Sequence, residues 1–588
     1  MKYVETMPYK QGQKWSDVVD TYMSEARTPE HPLVIMNPLG HTPLSALMVF
    51  DTEEEESFDI TLRDAQNRVY LSFKTLPRVF HPLALPIALG GAVVEGEGNQ
   101  GSRFSHTFGA QTLSNVPELA FEGQLPENNL LLVAAADGEG PALGVNAYGE
   151  LSWLCTESLS HAIKPIGKGR FLCGAPGQLA PPNSGVAIWE MDLLGFVYKE
   201  YRFEDGFIGD FALLDEEIVA ISQAAWQGTL RDSLVWLNRD NGEMTKRLDL
   251  KTILPPIGGS GGQSGSDWFQ GASLRYCKEE NALYLSGLAQ NLVVVVDAIT
   301  AEVTNLIGDV SQLGEKAVAL CKTPLHKGTL EEAYGVTKND GALYYVNAHR
   351  YPKGERKPSQ PYEVCKLDTT TDKGQTFLDN DKGLVSPILC DLGFYGENVL
   401  VLAGGASNSD SVVPGVLALK RQNDLKLEAH VMLYHEKERR AHLKAATNLA
   451  AAALFTPTGQ DSIQKQCHIY GQWAPSFEVD IDLPVADEGQ LEDEMTIEFW
   501  QDDTRLYLSG SFFKGEACVL ILRKGEEKHQ YFLVTNRKPF GAEWIYTYAG
   551  GIERQLNWAI PVDHLKGEWT IDILIDDTLL HSKEVLER

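Results

Sequence analysis

Ala282-Leu-Tyr-Leu-Ser286 and Gly341-Ala-Leu-Tyr-Tyr345 are the stretches on which the fold turns. Each is a short run of strand formers reached through a tight turn, Asn281 in one case and Asp340-Gly341 in the other. Similar units recur as Gly169-Arg-Phe-Leu-Cys173, Glu217-Ile-Val-Ala-Ile221 and Glu397-Asn-Val-Leu-Val401, at intervals of roughly 45 to 70 residues. Asn129-Leu-Leu-Leu-Val133 opens the series and brings it to six copies. One such unit cannot bury both of its faces by itself. Units recurring at this interval therefore predict a six-bladed β-propeller over residues 121–458.

On the N-terminal side the pattern changes to strict alternation, as in Phe58-Asp-Ile-Thr-Leu62 and Val69-Tyr-Leu-Ser-Phe73. Period-two runs broken by Gly, Pro and Asn predict an antiparallel β-sandwich over residues 31–120. Residues 14–26 read as a short amphipathic helix within an N-terminal extension, 1–30. After the repeats, the stretch HEKERRAHLKAATNLAAAAL is rich in Ala, Leu, Lys and Glu and lacks Gly and Pro. It predicts a helix over residues 434–454, with its arginines on a solvated face. Strands such as Met495-Thr-Ile-Glu-Phe499 and Trp569-Thr-Ile-Asp-Ile573 predict a further, sandwich-like β domain over 476–588. The fold class is all-β.

The chain has 588 residues, enough for two to four domains, with 43% hydrophobic and 22% charged residues and a formal net charge of −30. A surface this acidic repels phosphate backbones and anionic lipid, which argues against nucleic-acid and membrane partners. No window reaches the roughly 18 apolar residues of a membrane span, and the N-terminal stretch, interrupted by Asp and Glu, lacks the apolar core of a signal peptide. The eight cysteines are scattered without a CxxC pair. They read as reduced thiols of a cytoplasmic protein, with no disulfide framework and no metal site.

Gly96-Glu-Gly-Asn-Gln-Gly101 matches a dinucleotide fingerprint by letters, but it lies among β runs, so a hairpin turn is expected and no cofactor. Gly258–Gly265 reads as a loop leading into the next repeat, and Asp379-Asn-Asp-Lys-Gly383 as a turn lacking the twelfth-position Glu of a calcium loop. Glu53 to Glu56 read as a solvated hairpin tip. No HExxH helix occurs.

Four segments, in order, resemble bacterial arylsulfate sulfotransferases. They are Asn37-Pro-Leu-Gly-His-Thr-Pro-Leu-Ser-Ala-Leu47; Ser266-Asp-Trp-Phe-Gln-Gly-Ala-Ser-Leu274 with Asn281–Ser286; Asp340-Gly-Ala-Leu-Tyr-Tyr-Val-Asn347 with Arg350; and Gly396-Glu-Asn-Val-Leu-Val401. The similarity covers residues 31 to about 457. It implies a six-bladed propeller with a central funnel behind an N-terminal β-sandwich, often as a homodimer. It also implies transfer of a sulfuryl group from an aryl sulfate to a phenol through a histidine nucleophile, without a nucleotide donor. His, Asn and Arg side chains would neutralise the sulfuryl oxygens in such a site.

Carried over residue by residue, the resemblance finds most of that set replaced. Gln270 and Ala272 stand where the family has His and Asn, Leu288 where it has Arg, and Ala333 where it has the nucleophilic His. His161, in Leu159-Ser-His-Ala-Ile163, matches one remaining active-site histidine, with His349 and Arg350 as an alternative pair near the same repeat. Trp268, Phe269, Tyr334 and Tyr345 either pack the core or line a funnel that stacks an aromatic ligand. The expectation is a divergent family member that binds an aromatic or anionic ligand, or a partner, without sulfohistidine chemistry. The alternatives are an active sulfotransferase with a rearranged site, which would take a small sulfated molecule, and a scaffold whose funnel is idle.

Overall fold

The computed structural model describes residues from 28 to 587, with breaks, the longest at 255–266, 350–360, 405–415, 458–475 and 534–545. The expected helix at 14–26, the glycine-rich run at 258–265, the Asp379–Gly383 turn and Arg350 lie outside the described residues. The described chain is almost all strand, and its only α-helix is the six-residue Glu315–Leu320. None of its helices is long and apolar enough to cross a membrane.

Two sheets form the N-terminal part. One has the strand order Leu33–Met36, Ser45–Glu56, Arg78–Pro86, and the other Val69–Lys74, Phe58–Asp64, Ala92–Gly98, Arg103–Phe108. Their inward residues, among them Met48, Phe50, Ile60, Leu62, Leu83, Val94 and Phe104, form one core. The alternation in Phe58–Asp64 shows directly in its burial, since every second residue is closed off. The glycine-rich Gly96–Gly101 turns between two antiparallel strands, as a hairpin should. Glu53 to Glu56 are the end of a long strand and not a hairpin tip. Glu56 is buried there and accepts the amides of Gln100 and Ser102.

Between residues 118 and 455 the strands form five hydrogen-bonded sheets. Strands here are apolar on both faces, as in Leu151–Cys155 and Leu292–Asp297, because each sheet is packed between others. One nine-stranded sheet is two groups joined through a single long strand, Val197–Leu213. The first part of that strand pairs with Ser184–Asp192 and its last part with Glu217–Ala224. Six strands make the contacts between sheets: β1 (Ser160–Gly167), β2 (Val197–Leu213), β3 (Gly271–Cys277), β4 (Ala333–Asn339), β5 (Cys390–Tyr395) and β6 (Leu449–Phe455). Each lies against the next in this order, and β6 also lies against β1.

The helix expected over 434–454 is not formed. Its residues contribute to Leu427–Glu436, Lys444–Ala446 and β6, all strands. β6 pairs antiparallel with Leu130–Ala135, from Leu449 opposite Ala135 to Phe455 opposite Leu130. An open sheet edge more than 300 residues away in sequence offers a full ladder of hydrogen bonds, which outweighs the few tenths of a kcal/mol per residue of alanine's helix preference. Ala452 and Ala453 are buried, where bulkier side chains would hold neighbouring sheets apart.

The N-terminal sheets are fastened to this region by the His41-Thr-Pro-Leu-Ser45 segment. Ser45 Oγ donates to the Leu193 carbonyl (2.5 Å), Thr42 Oγ1 to Leu194 (2.7 Å), and His41 Nε2 to Gly195 (2.8 Å). All three side chains are buried. The C-terminal residues form two sheets with a common core that includes Leu506, Leu508, Leu520, Tyr531, Ile560 and Trp569.

Candidate functional site

The residues that lead into the inner strands share one backbone feature. His161, Gln270, Glu332 and Leu389 all have positive φ, at 60°, 56°, 53° and 56°. His161 is the second residue of β1, and the other three immediately precede β3, β4 and β5. A register shift follows the first pair in β1 and β3, and the second pair in β4. Non-glycine residues adopt this conformation at a cost of order 1–3 kcal/mol and keep it only where their surroundings impose it. Its recurrence, even at a leucine, makes it a property of how β1, β3, β4 and β5 start. Gly271 pairs with Gly287 and Ala333 with Asn347 as first pairs, so Glu332 stands before β4 as Gln270 stands before β3.

The four substituted positions lie in or against packed surroundings. Ala272, Leu288 and Tyr334 belong with Tyr344, Val346 and Leu392 in one apolar cluster. Ala333 and Tyr345 belong with Val293, Val336 and Leu367 in another. Trp268 and Phe269 are 1% and 0% exposed and pack with Leu285 and Val294 in a third. Tyr345 donates its hydroxyl to the Thr329 carbonyl (2.9 Å). Trp268 donates its indole N–H to Asp232 Oδ2 (2.8 Å), whose carboxyl is pushed up by burial. Trp268, Phe269, Tyr334 and Tyr345 are thus all buried among apolar neighbours.

The two candidate histidines have different neighbours. The His161 ring lies 4.8 Å from that of Phe207, on β2. A side chain at Gly185 would come within 3.2 Å of its Cε1. His349 Nδ1 is 2.7 Å from Glu331 Oε2 and its Nε2 is 3.5 Å from Glu363 Oε2. His349 is thus tied to the Glu331 carboxylate beside the start of β4, whereas His161, on β1, stands against the Phe207 ring of β2.

Sequence reading missed the group that does bring the inner strands together. Lys164 (β1), Asp210 (β2), Arg275 (β3) and Asp391 (β5) form one chain of ion pairs. Lys164 Nζ lies 2.8 Å from Asp210 Oδ1, and Arg275 binds Asp210 with Nη1 and Asp391 with Nη2. Asp210 also accepts the amides of Phe211 and Leu274, both at 2.9 Å. Gly335, on β4, leaves room beside Asp391: its φ is 57°, and a Cβ there would collide with the Leu392 amide and come within 3.0 Å of Asp391 Oδ1. Burial disfavours the Asp210 charge, but Arg275, Lys164 and the amides outweigh it and hold its carboxyl below the usual range. Burial, with Arg275 nearby, lowers Lys164. Arg275 is raised despite burial, because Asp210 and Asp391 flank it. Each of these residues sits in an ordinary alternating run, so only their meeting reveals them.

No group of three or more His, Cys, Asp or Glu among the described residues could hold a metal ion. Six of the cysteines, 155, 173, 277, 321, 365 and 390, carry thiols and no disulfide.

Residues 122–412 match the family model described as arylsulfotransferase (ASST). Over that span the chain belongs to the arylsulfotransferase family. The match covers β1 to β5 and ends before β6. No curated protein matches the sequence. Among solved structures, a protein of unknown function from Bacteroides thetaiotaomicron is similar at 12% identity, covering 67% of this chain and 96% of its own, with a TM-score of 0.30. A putative 6-phosphogluconolactonase from Bacteroides uniformis is similar at 11% identity, covering 68% of this chain and 100% of its own, with a TM-score of 0.31.

Proposed function

We propose that the arylsulfotransferase-family region is a six-bladed propeller that binds a small aromatic ligand in its funnel without passing a sulfuryl group through a histidine. The architecture is supported by the order of contacts, in which each of β1 to β6 lies against the next and β6 returns to β1. It is further supported by the pairing of β6 with Leu130–Ala135, which lets the last strand complete the first blade. The long strand Val197–Leu213 then serves two consecutive blades.

One observation carries the functional reading. Of the four positive-φ residues that lead into the inner strands, only His161 is a histidine; the others are Gln270, Glu332 and Leu389. Glutamine and leucine offer no nucleophile, the Glu332 carboxylate forms no sulfohistidine, and none of the three supplies positive charge to the sulfuryl oxygens. Loss of one oxyanion donor typically lowers a rate by about 10²- to 10³-fold, and loss of the nucleophile closes the double-displacement route. Incubation of the purified protein with 4-nitrophenyl sulfate and phenol tests this. The expected outcome is no nitrophenol release above the uncatalysed rate and no mass gain of a sulfuryl group on the chain. Turnover accompanied by a sulfated histidine that disappears in His161→Ala would overturn it.

A further inference from the structure

We propose that Asp391 determines ligand specificity, because its carboxylate fills the place on Arg275 that an anionic ligand would take and so keeps oxyanions of the sulfate type out of the funnel. This rests on the reading of the inner strands as the wall of a funnel.

The charges where β1, β2, β3 and β5 meet cancel from within. Lys164 and Arg275 supply two positive charges, and Asp210 and Asp391 two negative ones. The two carboxylates are not equivalent. Asp210 is held by Lys164, Arg275 and two backbone amides, and its side chain is only 8% exposed. Asp391 is held by Arg275 Nη2 and by its neighbour's amide, Leu392 N–H at 2.8 Å, and its side chain is 32% exposed. Asp210 is therefore built into the wall, and Asp391 is the member that solvent reaches.

An outward guanidinium N–H next to a backbone N–H is a donor pair suited to a tetrahedral oxyanion. Here a side-chain carboxylate from the same fold already accepts both bonds. A sulfate or aryl sulfate would have to displace a tethered anion, and it would meet the charge of Asp210 behind Arg275. A neutral aromatic ligand pays neither cost. Glu332, at the start of β4, adds a further negative charge among the residues that lead into the inner strands.

The test is calorimetric titration of inorganic sulfate and of 4-nitrophenyl sulfate into the full chain at fixed ionic strength. Wild-type protein should show no saturable heat with either anion. Asp391→Ala, which vacates the donor pair, should bind both with saturable heat, at a sulfate affinity at least about tenfold above the detection limit that wild type fails to reach. Arg275→Gln in the Asp391→Ala background should abolish that gain. Asp391→Asn keeps the shape and can still accept from Leu392, so it serves if Asp391→Ala does not fold. It should gain a smaller but measurable affinity. Saturable sulfate binding by wild-type protein, without turnover, overturns the proposal. So does a variant that unfolds at the wild-type temperature yet takes up no sulfate. Turnover through a sulfated histidine is a different result, and it would overturn the reading of lost catalysis.

Discussion

His81 shows how much a single residue can hide from its sequence context. It sits in the apolar stretch Arg78–Pro86, where the pattern asks for a core residue, and the structure buries it to 1% exposure. Its ring stacks on Phe50 at 4.8 Å and meets Phe58 edge-on at 5.0 Å, and both ring nitrogens lack hydrogen-bond partners. Burial pushes its pKa down and the Arg78 charge adds to this, against the Arg78 backbone and the nearby carboxylates of Glu56 and Asp51. The unfolded chain then binds a proton that the folded one refuses. This stability is complete above the ordinary value of about 6.5 and is lost as pH falls towards the folded value. The melting temperature of the N-terminal sheets should drop from pH 7.5 to 5.5, and His81→Leu should flatten that drop. An unchanged slope in the variant would show that His81 does not carry it. Lys164, Asp210, Arg275 and Asp391 were equally illegible, because an alternating strand cannot say which outward residue faces solvent and which faces another sheet.

At the scale of elements, the Asn37–Leu47 motif acquires a physical role. Its His41, Thr42 and Ser45 bond three consecutive carbonyls of the Leu193–Gly195 turn, and Trp153 adds a bond to Leu193 (2.8 Å). Gly195 has φ of 84°, and a Cβ there would lie 2.2 Å from His41 Nε2. Gly195→Ala should therefore lower the urea midpoint. The strained backbone alone is worth roughly 1–3 kcal/mol. Gly195→Asn tolerates positive φ better, so a similar loss in that variant assigns the effect to the His41 contact, and full recovery assigns it to the backbone. The strands of the repeats were legible because turn and apolar run alternate in them. β6 was not, because local propensity favours helix and only the free edge of Leu130–Ala135 makes it a strand.

At the scale of the molecule, β6 links residues more than 300 positions apart and closes the series of contacts among the inner strands. A chain ending at residue 457 keeps β6, and one ending at 446 loses it. The longer one should unfold cooperatively and stay in solution. The shorter should expose the Leu130–Ala135 edge and aggregate on size-exclusion chromatography. Equal behaviour of the two would show that β6 is dispensable. The sequence by itself determined that the protein is nearly all β, that its middle is built of recurring antiparallel units and that those units are of the arylsulfotransferase family, since alternation, turns and ordered motifs are local properties of the chain. Only the tertiary structure decided that residues 449–455 form a strand on the edge of Leu130–Ala135, that Glu332 stands before β4 as Gln270 stands before β3, and that Arg275 is neutralised by two carboxylates from other strands. Those facts depend on which distant edges and charges meet, and burial then makes each meeting obligatory.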